Sequence, residues 1–554
     1  MSRAVLVSAT PATSEAPRLA RSTAIVGSAV LASRVLGLVR EQVFAAFFGA
    51  GRELDAFVTA FRIPNLFRDL FAEGALSAAF VTTFAQKLER EGERSAWRLA
   101  NLVVHALLLV VGGLVAIGML YAGGWVDVIA PGFAETPGKT ELTVSLTRIM
   151  FPFLLLVALA AVAMGMLNAK ERFGVAASAS SFFNLGSIVV GVATAWWLEP
   201  EYMSGLWRGE AGTNGAAAAR AISGMAVGTL VGGALQLLVQ VPSLYRLGYR
   251  YRPEISFTDP GLRRVLALMA PATIGAAAVQ VNVMVNNNFA STLGDGAVSW
   301  LNVAFRFTQL PIGLFGVAVG VVALPAISRS VAREDAGSFN ATVARALRLV
   351  FALTLPAAVG LAVLAPEVIG LVYEHGRFGP HDTAMAAQAL VAYTIGLAGY
   401  ANIKVIVPAF YALGDARTPA LVSCASILVN AGLNWWAIHR LGLGHVSLAL
   451  VTSAVALLNF AALFFVLVGR IGRLPIGSAA ARIALASLGV AVACFTVRFG
   501  VEAIASPATF AGQAVVVAIA IPSGVALYVW LGARLGVEEI RTLLDRVRAR
   551  IGAS

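Results

Sequence analysis

The stretch LANLVVHALLLVVGGLVAIGML, residues 99–120, runs 22 residues without one charged side chain. The hydrocarbon core of a bilayer takes roughly 20 mostly apolar residues per helix, so this stretch reads as a membrane span. Outward from it, similar stretches fill nearly the whole chain, at about 23–50, 55–86, 97–121, 142–168, 175–198, 216–244 and 262–293. They continue at about 297–328, 344–372, 384–412, 418–438, 446–468, 481–500 and 507–532, which makes fourteen. Composition agrees: of 554 residues 58% are hydrophobic and 13% charged, against about 45–50% and about 25% in soluble domains. Lipid cannot satisfy backbone N–H and C=O groups, so a helical bundle is required. The alternating ten-residue segments of a membrane barrel are missing. The expected fold class is an all-α polytopic membrane protein. Cys424 and Cys494 sit in apolar runs with no metal-like spacing.

The net charge of +12 raises the question of nucleic acid, and its placement answers it. With both termini cytoplasmic, 27 of the 41 Lys and Arg residues fall in inside loops and tails, and only 6 in outside loops. That bias follows the positive-inside rule. The outside set includes Lys139, in a loop (122–141) otherwise charged by Asp127, Glu135 and Glu141. The expected location is the bacterial inner membrane, multi-pass, with no nucleic-acid partner.

Eight cations remain at membrane depth: Arg34, Arg40, Arg62, Arg68, Arg148, Arg220, Arg306 and Lys404. Each arginine at the centre of a membrane helix costs about 2.5–3.5 kcal/mol on insertion scales. Snorkelling from a helix end accounts for Arg62, Arg148 and Arg220. The first two spans share Arg-x5-Arg followed by an acid: Arg34, Arg40, Glu41, then Arg62, Arg68, Asp69. Seven residues return a helix to nearly the same face, so Arg34 is expected above Glu41 and Arg62 above Asp69. Glu41, Asp69, Glu73 and Asp55 are the only acids available at this depth. A surplus of cations implies a watery cavity, an anionic ligand, or both, and arginine's planar fork suits phosphate. Pro64 is expected to bend the second span between its arginines.

A weak internal repeat is present. Ala60-Phe61-Arg62 matches Ala304-Phe305-Arg306 at an offset of 244, and Lys170-Glu171-Arg172 matches Asp415-Ala416-Arg417 at 245. This predicts two six-helix lobes of parallel repeat plus two C-terminal helices. The expected divisions are a cytoplasmic tail (1–22), an N-lobe (23–245), a cytoplasmic linker (246–261), a C-lobe (262–470), a terminal helix pair (471–533) and a basic cytoplasmic tail (534–554). Transporters built this way place their site between the halves and rock one against the other. Where the first span has arginines, the seventh has Gln280, Asn282 and Asn286 to Asn288.

SRVLGLVRE (33–41), GAGRELDAFVTAFRIPNLFRDLFAEGALSAAF (49–80), TRIMFP (147–152), FRFTQLPIGLFGVAVGVVALP (305–325) and PAFYALGDARTP (408–419) resemble the MurJ/MviN lipid II flippases. That family lies within the multidrug/oligosaccharidyl-lipid/polysaccharide exporter superfamily, and the likeness runs in order from about residue 23 to 470. The resemblance implies fourteen helices, a cationic central cavity and a groove for the lipid tail near the last two helices. It implies that the substrate is lipid II, an undecaprenyl-diphosphate-linked sugar-peptide, carried from the cytoplasmic to the outer face by alternating access. By motif, Arg34, Arg40, Arg68 and Arg306 match the family's cavity arginines, and Asp55 its acid near the outer gate; Glu41, Asp69, Glu73 and Arg62 are supporting charges. Membrane lipids and cell-wall synthesis proteins are the implied neighbours, and no cofactor is implied. The membrane interior of the second half carries no clear Asp or Glu, which argues against a carboxylate-based sodium or proton site there and leaves a coupling ion or the membrane potential open as the drive.

Other function classes fit less well. A cation or drug antiporter of the same superfamily calls for acids in its cavity, and another lipid-linked oligosaccharide exporter differs only in headgroup. A membrane enzyme acting on polyprenyl phosphates needs clustered acids or histidines; of the five histidines, His375 and His381 flank Arg377 and are read as part of a solvated loop.

Overall fold

A computed structural model describes residues 15–71, 75–210, 215–503, 506 and 509–551, and among these it is helical with no strand. In chain order the helices are α1 (Glu15–Phe48), α2 (Arg52–Phe71), α3 (Ala75–Glu91), α4 (Glu93–Leu120), α5 (Ala122–Ile129), α6 (Lys139–Met150), α7 (Phe153–Ala169) and α8 (Phe173–Leu198). Then come α9 (Pro200–Trp207), α10 (Gly215–Leu238), α11 (Val241–Arg246), α12 (Pro260–Ser291), α13 (Ala297–Pro311), α14 (Ala318–Ala332), α15 (Ala336–Val363) and α16 (Ala365–Tyr373). The last are α17 (Pro380–Ala412), α18 (Arg417–His439), α19 (His445–Ile471), α20 (Gly477–Glu502), α21 (Phe510–Arg534) and α22 (Glu538–Ile551).

Among the described residues, eleven helical stretches are long and apolar enough to cross a membrane. Fourteen were expected; the stretches at 23–50, 55–86 and 262–293 are not among these eleven. Each is nonetheless helical over its described residues.

The chain packs into two compact units. Unit 1 comprises the chain up to Phe44, Ala60–Trp125 and Glu141–Ala276. Helices α8 and α10 are its closest pair, because small residues let their backbones touch. A Cβ on Gly228 would lie 2.4 Å from the Gly191 backbone, and one on Gly224 would lie 2.4 Å from Ala195 N. Phe153 at the start of α7 anchors the remaining helices, its ring 5.4 Å from that of Phe61 on α2 and 5.3 Å from that of Phe183 on α8.

Unit 2 comprises Ala45–Thr59, Val126–Thr140 and the chain from Ala277 onward. Two short segments from early in the sequence therefore belong with the later helices. Helix α17 is central: Gly396 abuts Ser453 of α19, whose hydroxyl donates to the Ala392 carbonyl at 2.7 Å. After Pro311, α13 passes through a π-helical turn (Ile312–Val317) into α14. There Gly316 and Gly320 let α14 lie against the α17 backbone at Ala401 and Lys404. The asparagine run on α12 is structural. The Asn286 carbonyl oxygen accepts from Asn430 at 2.8 Å and Asn434 at 3.0 Å on α18, and its amide donates to Thr452 on α19 at 3.2 Å. At the far end, Arg348 on α15 pairs with Glu538 at 3.1 Å and Glu539 at 2.8 Å, fixing the start of α22.

Candidate functional site

In unit 1 the expected arginines line up on α1 and α2. Arg34 is exposed on α1 and forms no ion pair among the described residues. The helix under it is braced by Asn184 of α8, whose amide donates to the Ser33 carbonyl at 3.0 Å and packs beside Gly37. Two turns on, Arg40 is half-buried, 3.8 Å from Glu41 and over the Phe183 ring at 5.0 Å. On α2 the Arg68 guanidinium donates to Asp69 through Nη2 at 2.9 Å and Nε at 3.2 Å. Glu41 and Asp69 are thus met by the arginine directly before each of them, a contact the seven-residue spacing does not foretell. Arg62 is half-buried and directly precedes buried Ile63 and Pro64. Glu73 lies outside the described residues.

Of the three cations assigned to snorkelling, Arg148 and Arg220 have local partners. Arg148 donates to the Met119 carbonyl at 3.3 Å, and Arg220 pairs with Glu199. Neither contact involves α1 or α2.

In unit 2, Arg306 is exposed on α13. Its neighbours hold the helix: the Phe305 ring lies 5.3 Å from that of Tyr393, and Phe307 lies 6.0 Å from Tyr373.

Asp55 has a different surrounding. Its carboxylate is fully buried and accepts four hydrogen bonds. Oδ2 accepts from Lys139 Nζ at 3.0 Å and from the Gly296 amide at 2.7 Å. Oδ1 accepts from the Ser299 amide at 2.9 Å and its hydroxyl at 2.6 Å. Gly296 is the N-cap of α13, so Asp55, from α2, caps a helix far along the chain and meets the positive end of its dipole.

Lys139 is a correction to the charge reading. It was counted as a cation of an acidic outside loop, yet its side chain is 1% exposed. It bridges Asp55 to Asp295, 2.7 Å away, and lies 4.2 Å from the Phe133 ring centroid. Only a partner 84 residues away in sequence makes it special, and no local pattern announces that. More contacts tie the same segments: Gly132 N–H to Ser291 Oγ at 3.2 Å, Asn287 to the Ile129 carbonyl at 3.1 Å and Asn288 to the Val128 carbonyl at 2.7 Å. The 45–51 turn is held likewise, by Arg377 N–H to the Ala46 carbonyl at 2.8 Å and Ala50 N–H to Asp382 at 3.4 Å.

Comparison with known proteins shows the family of the chain. A profile of the family described as lipid II flippase MurJ matches residues 44–522. Among curated relatives, the lipid II flippase MurJ of Burkholderia cenocepacia is 34% identical over 450 residues, covering 80% of this chain and 83% of the relative. A probable lipid II flippase MurJ of Rhizobium meliloti is 34% identical over 547 residues, 97% of each chain. Among solved structures, a lipid II flippase MurJ in an inward closed conformation superposes with TM-score 0.73 at 26% identity, covering 94% of this chain and 99% of that one. An inward-facing MATE transporter of the MOP superfamily shares the fold at TM-score 0.65 and 16% identity, over 80% of this chain and 96% of its own. The profile spans most of the chain and the Rhizobium relative nearly all of it, so the chain belongs to the MurJ family of lipid II flippases, transporters rather than enzymes.

Proposed function

We propose that this protein carries lipid II from the cytoplasmic to the outer face of the bacterial inner membrane by alternating access, with Arg34, Arg40 and Arg68 holding the diphosphate and Arg306 contributing from α13. The observation that carries this reading is Arg34. An arginine at membrane depth with no ion pair among the described residues is costly to keep, unless an anion or water meets it during the working cycle. Arg40 and Arg68 stand on the same two helices, and an arginine's planar five-donor fork suits a diphosphate. In this reading both termini are cytoplasmic, no cofactor takes part, and the membrane potential or a coupling ion supplies the drive. Cell-wall synthesis proteins are its neighbours.

The experiment replaces Arg34, Arg40 and Arg68 singly by Ala and follows lipid II headgroup accessibility in cells that depend on the variant. Transport is expected to fall to background, with membrane level and melting temperature close to wild type. Arg220→Ala is the control: its pair with Glu199 is exposed and surface pairs contribute little, so transport should persist. Loss of the protein itself in the three arginine variants would make them structural partners of Glu41 and Asp69 instead.

A further inference from the structure

Lys139 is poorly explained by the helix it starts. As the first residue of α6 it stands at the positive end of a helix dipole, where an ammonium is disfavoured. It is also shielded from water, and a buried charge is tolerated only when paired and hydrogen-bonded. Its partners come from both halves of the chain. Asp55 belongs to the first half and is dry, at 0% exposure; Asp295 belongs to the second and is 44% exposed.

The balance of charge in this cluster is informative. Asp55 and Lys139 form a neutral pair carried by the segments 45–59 and 126–140. Opposite them stand Asp295 and the N-terminal end of α13, where Gly296 and Ser299 present their amides. If these two sides part, neither keeps a lone buried charge. Asp55 leaves with its ammonium, and Asp295 remains beside a helix N-terminus, where a carboxylate is favoured. Without Lys139, Asp55 would face Asp295 with no cation between them in the closed arrangement and would leave as a lone carboxylate in the open one.

We propose that Lys139 is the positioning residue of an external latch: it holds Asp55 against the start of α13, and the transport cycle proceeds by parting Asp55 and Lys139 together from residues 295–299. This rests on the transport reading above. Lys139 touches no substrate; it acts through Asp55.

The test uses the full chain in nanodiscs, with Cys424 and Cys494 replaced and spin labels at Glu135 and Leu293. Without lipid II, the unsubstituted latch should give a single short distance. Lys139→Met should add a longer component, with the open population raised about tenfold or more, because the ammonium that bridges position 55 to Asp295 is gone. Asp295→Asn should raise it less, since water already shares that contact. Lys139→Arg, which keeps the charge, should restore part of the short distance. If Lys139→Met does not accumulate, Asp55→Asn with Lys139→Met strands no charge and should show the same longer component. A single short distance in the tested variant, whatever its melting temperature, overturns the latch. Adding lipid II to the unsubstituted protein tests the other reading separately: no change in the distance distribution and no headgroup transfer would remove the transport proposal and leave the latch measurement standing.

Discussion

Among single residues, arginine chemistry separates roles that net charge does not. Arg306→Lys keeps the positive charge and loses the planar fork, so lipid II transfer should drop by about tenfold. Arg306→Ala should reduce it to background. Equal transfer by the Lys variant and wild type would show that Arg306 serves as a point charge only. Asp415, in the turn before α18, offers a second residue-scale test. Its carboxyl is held below the ordinary range by the Thr418 hydroxyl first, then by the Thr418 amide and Arg470. A depressed carboxyl stabilises the fold fully above its unfolded pKa of about 4, and that contribution fades as pH falls towards the folded value. The melting-temperature gap between wild type and Asp415→Ala should therefore be constant from about pH 7 to about pH 5 and narrow below about pH 4. A gap that widens in acid would contradict the assignment.

Helices bring out what a sequence reader can and cannot see. The arginines of α1 and α2 were legible because a charge within an apolar run is conspicuous and expensive. The asparagines of α12 were noted as polar and left without a task. Their task is defined by α18 and α19, more than 140 residues away in sequence, so no local period encodes it. Replacing Asn286 with Leu strands the amides of Asn430 and Asn434 in an apolar setting. Each buried unsatisfied group costs about 1–3 kcal/mol, so a clear fall in melting temperature is expected. A stability equal to wild type would mean the cluster is hydrated or dispensable. In unit 1, Gly228→Val places a Cβ where the Gly191 backbone stands. Overpacking of that kind costs about 1–3 kcal/mol and should show as reduced accumulation, while Gly113→Val, with nothing nearby, should be silent.

For the whole molecule, orientation follows from cations that lie outside the bilayer. Reporter fusions at Arg94, Arg250 and Arg473 should read cytoplasmic, and those at Glu135 and Pro380 external. Glu135 and Arg250 on one side would break the fourteen-span arrangement. The helical class and the family were legible from composition and motif. The membership of 45–59 and 126–140 in unit 2 was not, because hydropathy reports depth in the membrane and says nothing about which helices a turn packs against.

That membership sets an order of events during synthesis. Asp55 precedes its helix cap at Gly296 by 241 residues, whereas Lys139 follows it by only 84. At about 5–20 residues per second, the ribosome delivers the lysine roughly 4–17 s after the aspartate, and the cap roughly 12–48 s after it. Of the partners that Asp55 has in the folded chain, the ammonium is thus made first, and α13 follows. A chain lacking Lys139 would hold an orphaned acid through that whole interval, exposed to the quality-control proteases that survey unfinished membrane proteins.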